Sequence, residues 1–163
     1  MSVTAVMKDP DTLTMTVTAE YDASPARAWE LWADPRQLER WWGPPMYPAT
    51  VHTHDLVDGG RVTYSMTGPE GDTHYGYWTV VAAEPGRRLE VVDGFADADG
   101  TPTMTELTTR MVVDLAERPG GGVAVTVVST FPSLEVLEQM LGMGMEEGLR
   151  EAMGQIDAIL AAG

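Results

Sequence analysis

The side chains that could carry chemistry are few and scattered. His52 and His54 stand at i and i+2, the spacing that places two residues on one face of a strand, and His74 lies two strands further on. Three imidazoles suffice for a metal centre, but the pattern brings no acidic or sulfur ligand with it. The expectation is therefore no metal, and histidines that are exposed or singly hydrogen-bonded. General acid–base work needs two polar groups in mutual reach, and His52, His54, Glu106 and Arg110 are the plausible donors. The chain has no cysteine, so it has no thiol nucleophile, disulfide or thiolate ligand. No serine sits in a Gly-x-Ser-x-Gly elbow, and no phosphate loop is present. Asp97-Ala98-Asp99-Gly100 has part of the composition of a calcium loop. Phe95 stands where a further oxygen ligand is required, so the segment reads as a hairpin loop. No catalytic set and no cofactor are expected.

Residues suited to holding a molecule are more abundant. Trp29, Trp32, Trp41 and Trp42 lie within fourteen residues. They read mainly as anchors pinning short helices to a sheet, with Trp42 at the edge of a pocket, since adjacent helical residues cannot face the same way. Tyr64, Tyr75 and Tyr77 fall on central strands, where one hydroxyl can orient a ligand or simply reach water. Met140, Met143, Met145 and Met153 are four of eleven methionines and crowd the C-terminal segment. Methionine is flexible and polarizable, and suits a surface that repacks around variable apolar ligands.

Composition limits the classes of partner. The 163 residues fit one domain, and 44% are hydrophobic, enough for a sizeable core. The net charge is −15, and Lys8 is the sole lysine. Phosphate backbones and anionic membrane surfaces repel such a chain, so no nucleic-acid and no membrane partner is expected. The first thirteen residues lack a basic region followed by an apolar run, and no stretch approaches membrane-spanning length. A cytoplasmic protein is the expectation.

The elements that must position these residues follow from periodicity. Residues 1–12 read as a loose N-terminal lead-in, and 13–163 as one domain. Leu13, Met15, Val17, Ala19 and Tyr21 alternate with threonines as a half-buried strand. Ser24-Pro25 and Asp34-Pro35 each open a short helix with a cap and an N-terminal proline. Strands are expected at 51–56, 62–66, 73–81, 89–93, 105–115 and 123–130, separated by Gly- and Pro-rich turns. After Pro132-Ser133, Leu134, Leu137, Leu141, Met145, Leu149, Ile156 and Leu160 recur at helical spacing. Gly142, Gly144 and Gly148 each cost a helix about 1 kcal/mol relative to alanine, and mark the stretch where it should kink or break. The fold class is α+β: a curved antiparallel sheet of about seven strands around one long C-terminal helix, with two short helices after the first strand.

Ala23-Ser24-Pro25, Trp41-Trp42-Gly43-Pro44, Asp55 with Gly59-Gly60, Gly68-Pro69-Glu70-Gly71 and Arg88-Leu89, in this order, resemble the activator of heat-shock-protein-90 ATPase homologue family. The resemblance spans 13–160 and places the chain among the SRPBCC, or START-like, helix-grip folds. It implies a cavity between sheet and helix, and it transfers no catalytic residue. It also implies that His52 and His54 occupy positions that are usually apolar and inward-facing, putting polar groups into the pocket with His74 as a third contact.

The expected lining of that cavity is Trp42, His52, His54, Tyr64, Met66, Tyr77, Met104, Met140, Leu141, Met145 and Leu149. The function expected from it is non-catalytic binding of a small apolar or aromatic molecule, by a monomer or homodimer. Two other readings stand beside it. One is aromatase, cyclase or hydrolase chemistry in the same cavity. The other is a co-chaperone-like module whose acidic surface meets a basic protein partner.

Overall fold

The structure is a computed structural model and describes residues 3–162. Its strands are β1 (Val3–Asp9), β2 (Thr14–Tyr21), β3 (Ala49–His54), β4 (Arg61–Thr67), β5 (Thr73–Glu84), β6 (Arg88–Ala96), β7 (Pro102–Thr103), β8 (Thr109–Glu117) and β9 (Val123–Thr130). Eight of them form one antiparallel sheet in the order β1-β2-β9-β8-β6-β5-β4-β3, and the two-residue β7 pairs with β6. The sheet does not close on itself, and β1 and β3 are its edges.

Alternation decides which face is buried. Met15, Val17, Ala19 and Tyr21 of β2 point to the concave side, as do Val123, Val125 and Val127 of β9 and Met111, Val113 and Leu115 of β8. Helices α1 (Pro25–Ala33) and α2 (Pro35–Leu38) follow β2. The Ser24 hydroxyl accepts from Arg27 N at 3.1 Å, and the Asp34 carboxylate accepts from Arg36 N at 2.9 Å, so each start is capped as its sequence requires. Trp41 is fully buried just after α2 and donates its indole N–H to the Leu31 carbonyl at 2.9 Å. Its ring meets Trp32 edge-on at 4.6 Å.

The C-terminal grip is helical but broken. It comprises α3 (Leu134–Gly142), α4 (Met145–Gly154) and α5 (Ile156–Ala162). Between α3 and α4 the chain passes through Gly144 at φ 90°, a left-handed conformation that glycine adopts without a Cβ penalty. At Gln155, between α4 and α5, the backbone stays in the right-handed helical region. The single long helix expected from the sequence is therefore interrupted once in earnest, within the glycine-rich stretch.

Two further expectations are revised. The lead-in is ordered as β1, paired with β2 along its length, and Lys8 reaches Glu146 of α4 at 2.6 Å. With β1 and the two-residue β7, the sheet has nine strands among the described residues, where about seven were expected. The strand expected to begin at Thr105 starts at Thr109, because Met104 adopts φ 45° and Leu107 N bonds back to the Met104 carbonyl, forming a turn.

Candidate ligand cavity

The concave face is filled at one end and hollow at the other. At the filled end, Met153, Ile156 and Ile159 pack into the core, and the Tyr21 hydroxyl donates to the Met153 carbonyl at 3.3 Å. At the hollow end, under the α3–α4 break, lies a cavity of about 300 Å³. That is at the lower end of the volumes that hold small organic molecules, roughly 300–1,000 Å³. Its roof is Met140, Met143, Met145 and Leu149 with Gly144 and Gly148, and its walls include Trp42, Met66, Phe95, Leu107 and Met111.

The floor carries the polar groups, and strand register explains why they meet. On β6 the inward phase runs Leu89, Val91, Asp93; on β9 it runs Val125, Val127, Ser129; on β8 it runs Leu115, Val113, Met111, Thr109. Asp93 is register partner to Thr109, and Ser129 to Met111. Each strand thus exchanges an apolar residue for a polar one near the same end of the sheet, Asp93 and Thr109 level with each other and Ser129 one inward step away. From the other side, Tyr64 of β4 is register partner to Gly76 of β5. A Cβ on Gly76 would sit 2.5 Å from the Tyr64 ring, so the glycine lets that ring cross β5. The Tyr64 hydroxyl then donates to Asp93 Oδ1 at 2.8 Å.

Burial pushes the Asp93 carboxyl up to about 7, against the opposing effect of hydrogen bonds from the Tyr64 hydroxyl and the Gly94 N–H. Burial, followed by the Asp93 charge, holds the Tyr64 phenol well above its ordinary value. The Trp42 indole packs edge-on against Tyr64 at 5.9 Å. Its N–H is buried with no partner at normal hydrogen-bond geometry, although it lies close enough to the Tyr64 hydroxyl to act on it. The Ser129 hydroxyl is buried without a partner.

Six of the eleven residues expected at the cavity line it: Trp42, Tyr64, Met66, Met140, Met145 and Leu149. The other five lie elsewhere, for identifiable reasons. A bulge between Val51 and Thr53 inserts His52 as an extra residue, so the i, i+2 rule fails across it. His52 turns to the outer face and bonds Ser65 Oγ at 2.8 Å, while His54 turns inward beneath α1 and bonds the Trp32 carbonyl at 3.0 Å. Tyr77 is on the outer face, packed over Gly94 with the Arg61 guanidinium 5.0 Å from its ring. Met104 is about half exposed in the turn before β8. Leu141 is half-buried against the core, one helical step aside from Met140. His74 does reach the cavity, at its mouth beside Asp72.

The expected acid–base donors do not assemble. His52, Glu106 and Arg110 are exposed, and none of these nor His54 lines the cavity. Three further polar residues line it, Asp93, Thr109 and Ser129, and were not among those expected. Their signal is present in the sequence as an inward phase that ends on Asp, Thr or Ser.

Comparison with known proteins agrees with this geometry. The family model for Activator of Hsp90 ATPase homolog 1-like protein matches residues 22–161. Protein Ms6760 from Mycobacterium smegmatis is 49% identical over 98% of both chains, with a TM-score of 0.90. A protein from Arthrobacter aurescens is 46% identical over 99% of this chain and 94% of its own, with a TM-score of 0.93. A protein from Rhodobacter sphaeroides shares the fold at 23% identity and a TM-score of 0.82, covering 98% of this chain and 99% of its own. No curated protein matches.

Proposed function

This chain belongs to the activator of Hsp90 ATPase homolog 1-like family, and on that premise we propose that it holds a small, largely apolar or aromatic molecule in the cavity under the α3–α4 break. The observation that carries the reading is the cavity itself: about 300 Å³, walled by methionine, aromatic and aliphatic side chains, with a buried polar row on its floor. An apolar hollow of this size is expensive to leave in a core that is otherwise packed, because its lining forgoes dispersion contacts. The methionine roof suits ligands of varied outline. The Tyr64–Asp93 pair supplies the oriented polar contact that such pockets use to fix a ligand's pose.

The test is a thermal-shift screen of small aromatic compounds against the wild type and Leu149→Trp, which fills the cavity from its roof. Compounds that raise the melting temperature of the wild type and not of Leu149→Trp support the reading. A screen in which no compound shifts the wild type, or in which the filled variant responds equally, overturns it.

A further inference from the structure

The hydrogen-bond polarity on the cavity floor specifies what the bound molecule must bring. The Trp42 indole N–H, an obligate donor, is buried without a hydrogen-bond partner, its ring edge-on to Tyr64. The Tyr64 hydroxyl donates to Asp93 Oδ1 at 2.8 Å. That bond ends on a carboxyl group, which when ionised only accepts. Beyond it, on the neighbouring strands, Thr109 and Ser129 continue the row, and the Ser129 hydroxyl is 1% exposed with no partner. An ionised carboxylate only accepts, and the hydroxyls can accept as well as donate, so a donor can be met along the whole row.

Charge narrows the class. Asp93 is the one carboxylate lining the cavity among the described residues. The titratable groups facing it or the cavity are Tyr64 on β4, His74 and Tyr75 on β5, and none on β8 or β9. The residues that α3 and α4 present there are methionine, glycine and leucine. No lysine or arginine lines the cavity to neutralise Asp93. The whole chain carries −15, which concentrates cations near it and repels anions. The walls of Trp42, Phe95, Leu107 and the methionine roof leave the remainder of the ligand apolar.

We propose that the cavity is selective for amines: molecules with an aromatic or apolar body and one protonated nitrogen that pairs with Asp93. This rests on the ligand-cavity reading above and adds to it the chemical class of the ligand. The ammonium supplies the missing counter-charge, which a neutral hydrocarbon lacks and a carboxylate opposes.

Three probes of similar outline test it by calorimetry: naphthylmethylamine, its neutral isostere ethylnaphthalene, and naphthoate. The expected result is that the wild type binds the amine about tenfold or more tightly than ethylnaphthalene, and naphthoate weakest. Asp93→Asn should bring the amine down to the level of ethylnaphthalene and leave ethylnaphthalene unchanged. In the wild type the amine preference should grow between about pH 5.5 and about pH 8, as Asp93 ionises while the alkylammonium stays charged. That measurement needs no variant, and it carries the test if Asp93→Asn does not fold. Equal binding of amine and ethylnaphthalene, a preference for naphthoate, a preference that survives Asp93→Asn, or one flat across that pH range overturns the amine assignment while the cavity reading stands. If none of the three binds the wild type at any of these pH values, the cavity reading fails and the assignment with it.

Discussion

The Tyr64 hydroxyl meets Asp93 Oδ1 at 2.8 Å by reaching across an entire strand, over the bare backbone of Gly76. Two residues separated by twenty-nine positions are joined only because the residue between them in space has no side chain. Several consequences can be measured.

The first concerns stability against pH. Asp93 titrates at about 7 in the folded protein and near its ordinary value of 3.8 when unfolded. Between those values the folded state holds a proton that the unfolded state has lost. This group therefore makes the protein less stable as pH rises from about 4 to about 7, by up to roughly 4 kcal/mol, and adds no further slope above that. Asp93→Asn should be close to wild type in stability near pH 4 and more stable near pH 8. Urea denaturation of both proteins at the two pH values checks this; a variant that loses stability equally at both would contradict it.

Tyr64→Phe acts on the same pair from the other side. The hydroxyl hydrogen bond lowers the Asp93 value, so its removal should move the carboxyl titration further up. It should also cost about 1–2 kcal/mol at neutral pH, where a hydrogen bond to a buried, partly ionised carboxyl is lost. Carbon-detected NMR titration of the Asp93 side chain reports the shift directly. A titration that moves down would show that Tyr64 does not stabilise the carboxylate.

Gly76→Ala tests the close approach. Its Cβ would lie 2.5 Å from the Tyr64 ring, closer than any real contact, so the ring must swing off the floor or the strands must part. Overpacking of this kind costs about 1–3 kcal/mol. Gly86, a half-buried turn glycine, has open space where a Cβ would go but a φ of 76°, so Gly86→Ala should cost about 1 kcal/mol from backbone strain alone and leave the Asp93 titration untouched. Melting curves and the NMR titration together separate the two mechanisms.

The helix break can be probed with neighbouring glycines. A Cβ on Gly142 meets open space, at a backbone conformation that any residue adopts, so Gly142→Ala should stabilise by up to about 1 kcal/mol. Gly144 has φ 90°, and Gly144→Ala should destabilise by about 1 kcal/mol or more. Opposite signs from two substitutions two residues apart would establish that the left-handed turn, rather than helix propensity, shapes the roof. Equal effects would argue for a continuous helix in solution.

Much of this molecule was legible from local patterns. Ser24-Pro25 and Asp34-Pro35 announced two helices, and both are capped by those side chains. Period-2 alternation identified β2 and β4, because a strand half-buried on one face records that burial in its own residues, and the turn signals between them bounded β5, β6, β8 and β9. The methionines of the roof were legible too, as was the weak point at 142–148. Residues 3–9 hid their strand because an edge strand is exposed along most of its length and leaves no alternation to read.

What the sequence by itself determined, then, is the type of most elements and the inward face of the regular ones. Caps, turns and periodicity act within a few residues, and the chain carries them in plain order. The tertiary structure alone decided which inward residues share a site. The bulge at His52 reversed the phase of one strand and parted two histidines that spacing had placed together. The register of β4, β5, β6, β8 and β9 gathered Tyr64, Asp93, Thr109 and Ser129 on one floor. Register is set by pairings between distant segments, and a slip of one residue turns every side chain to the other face.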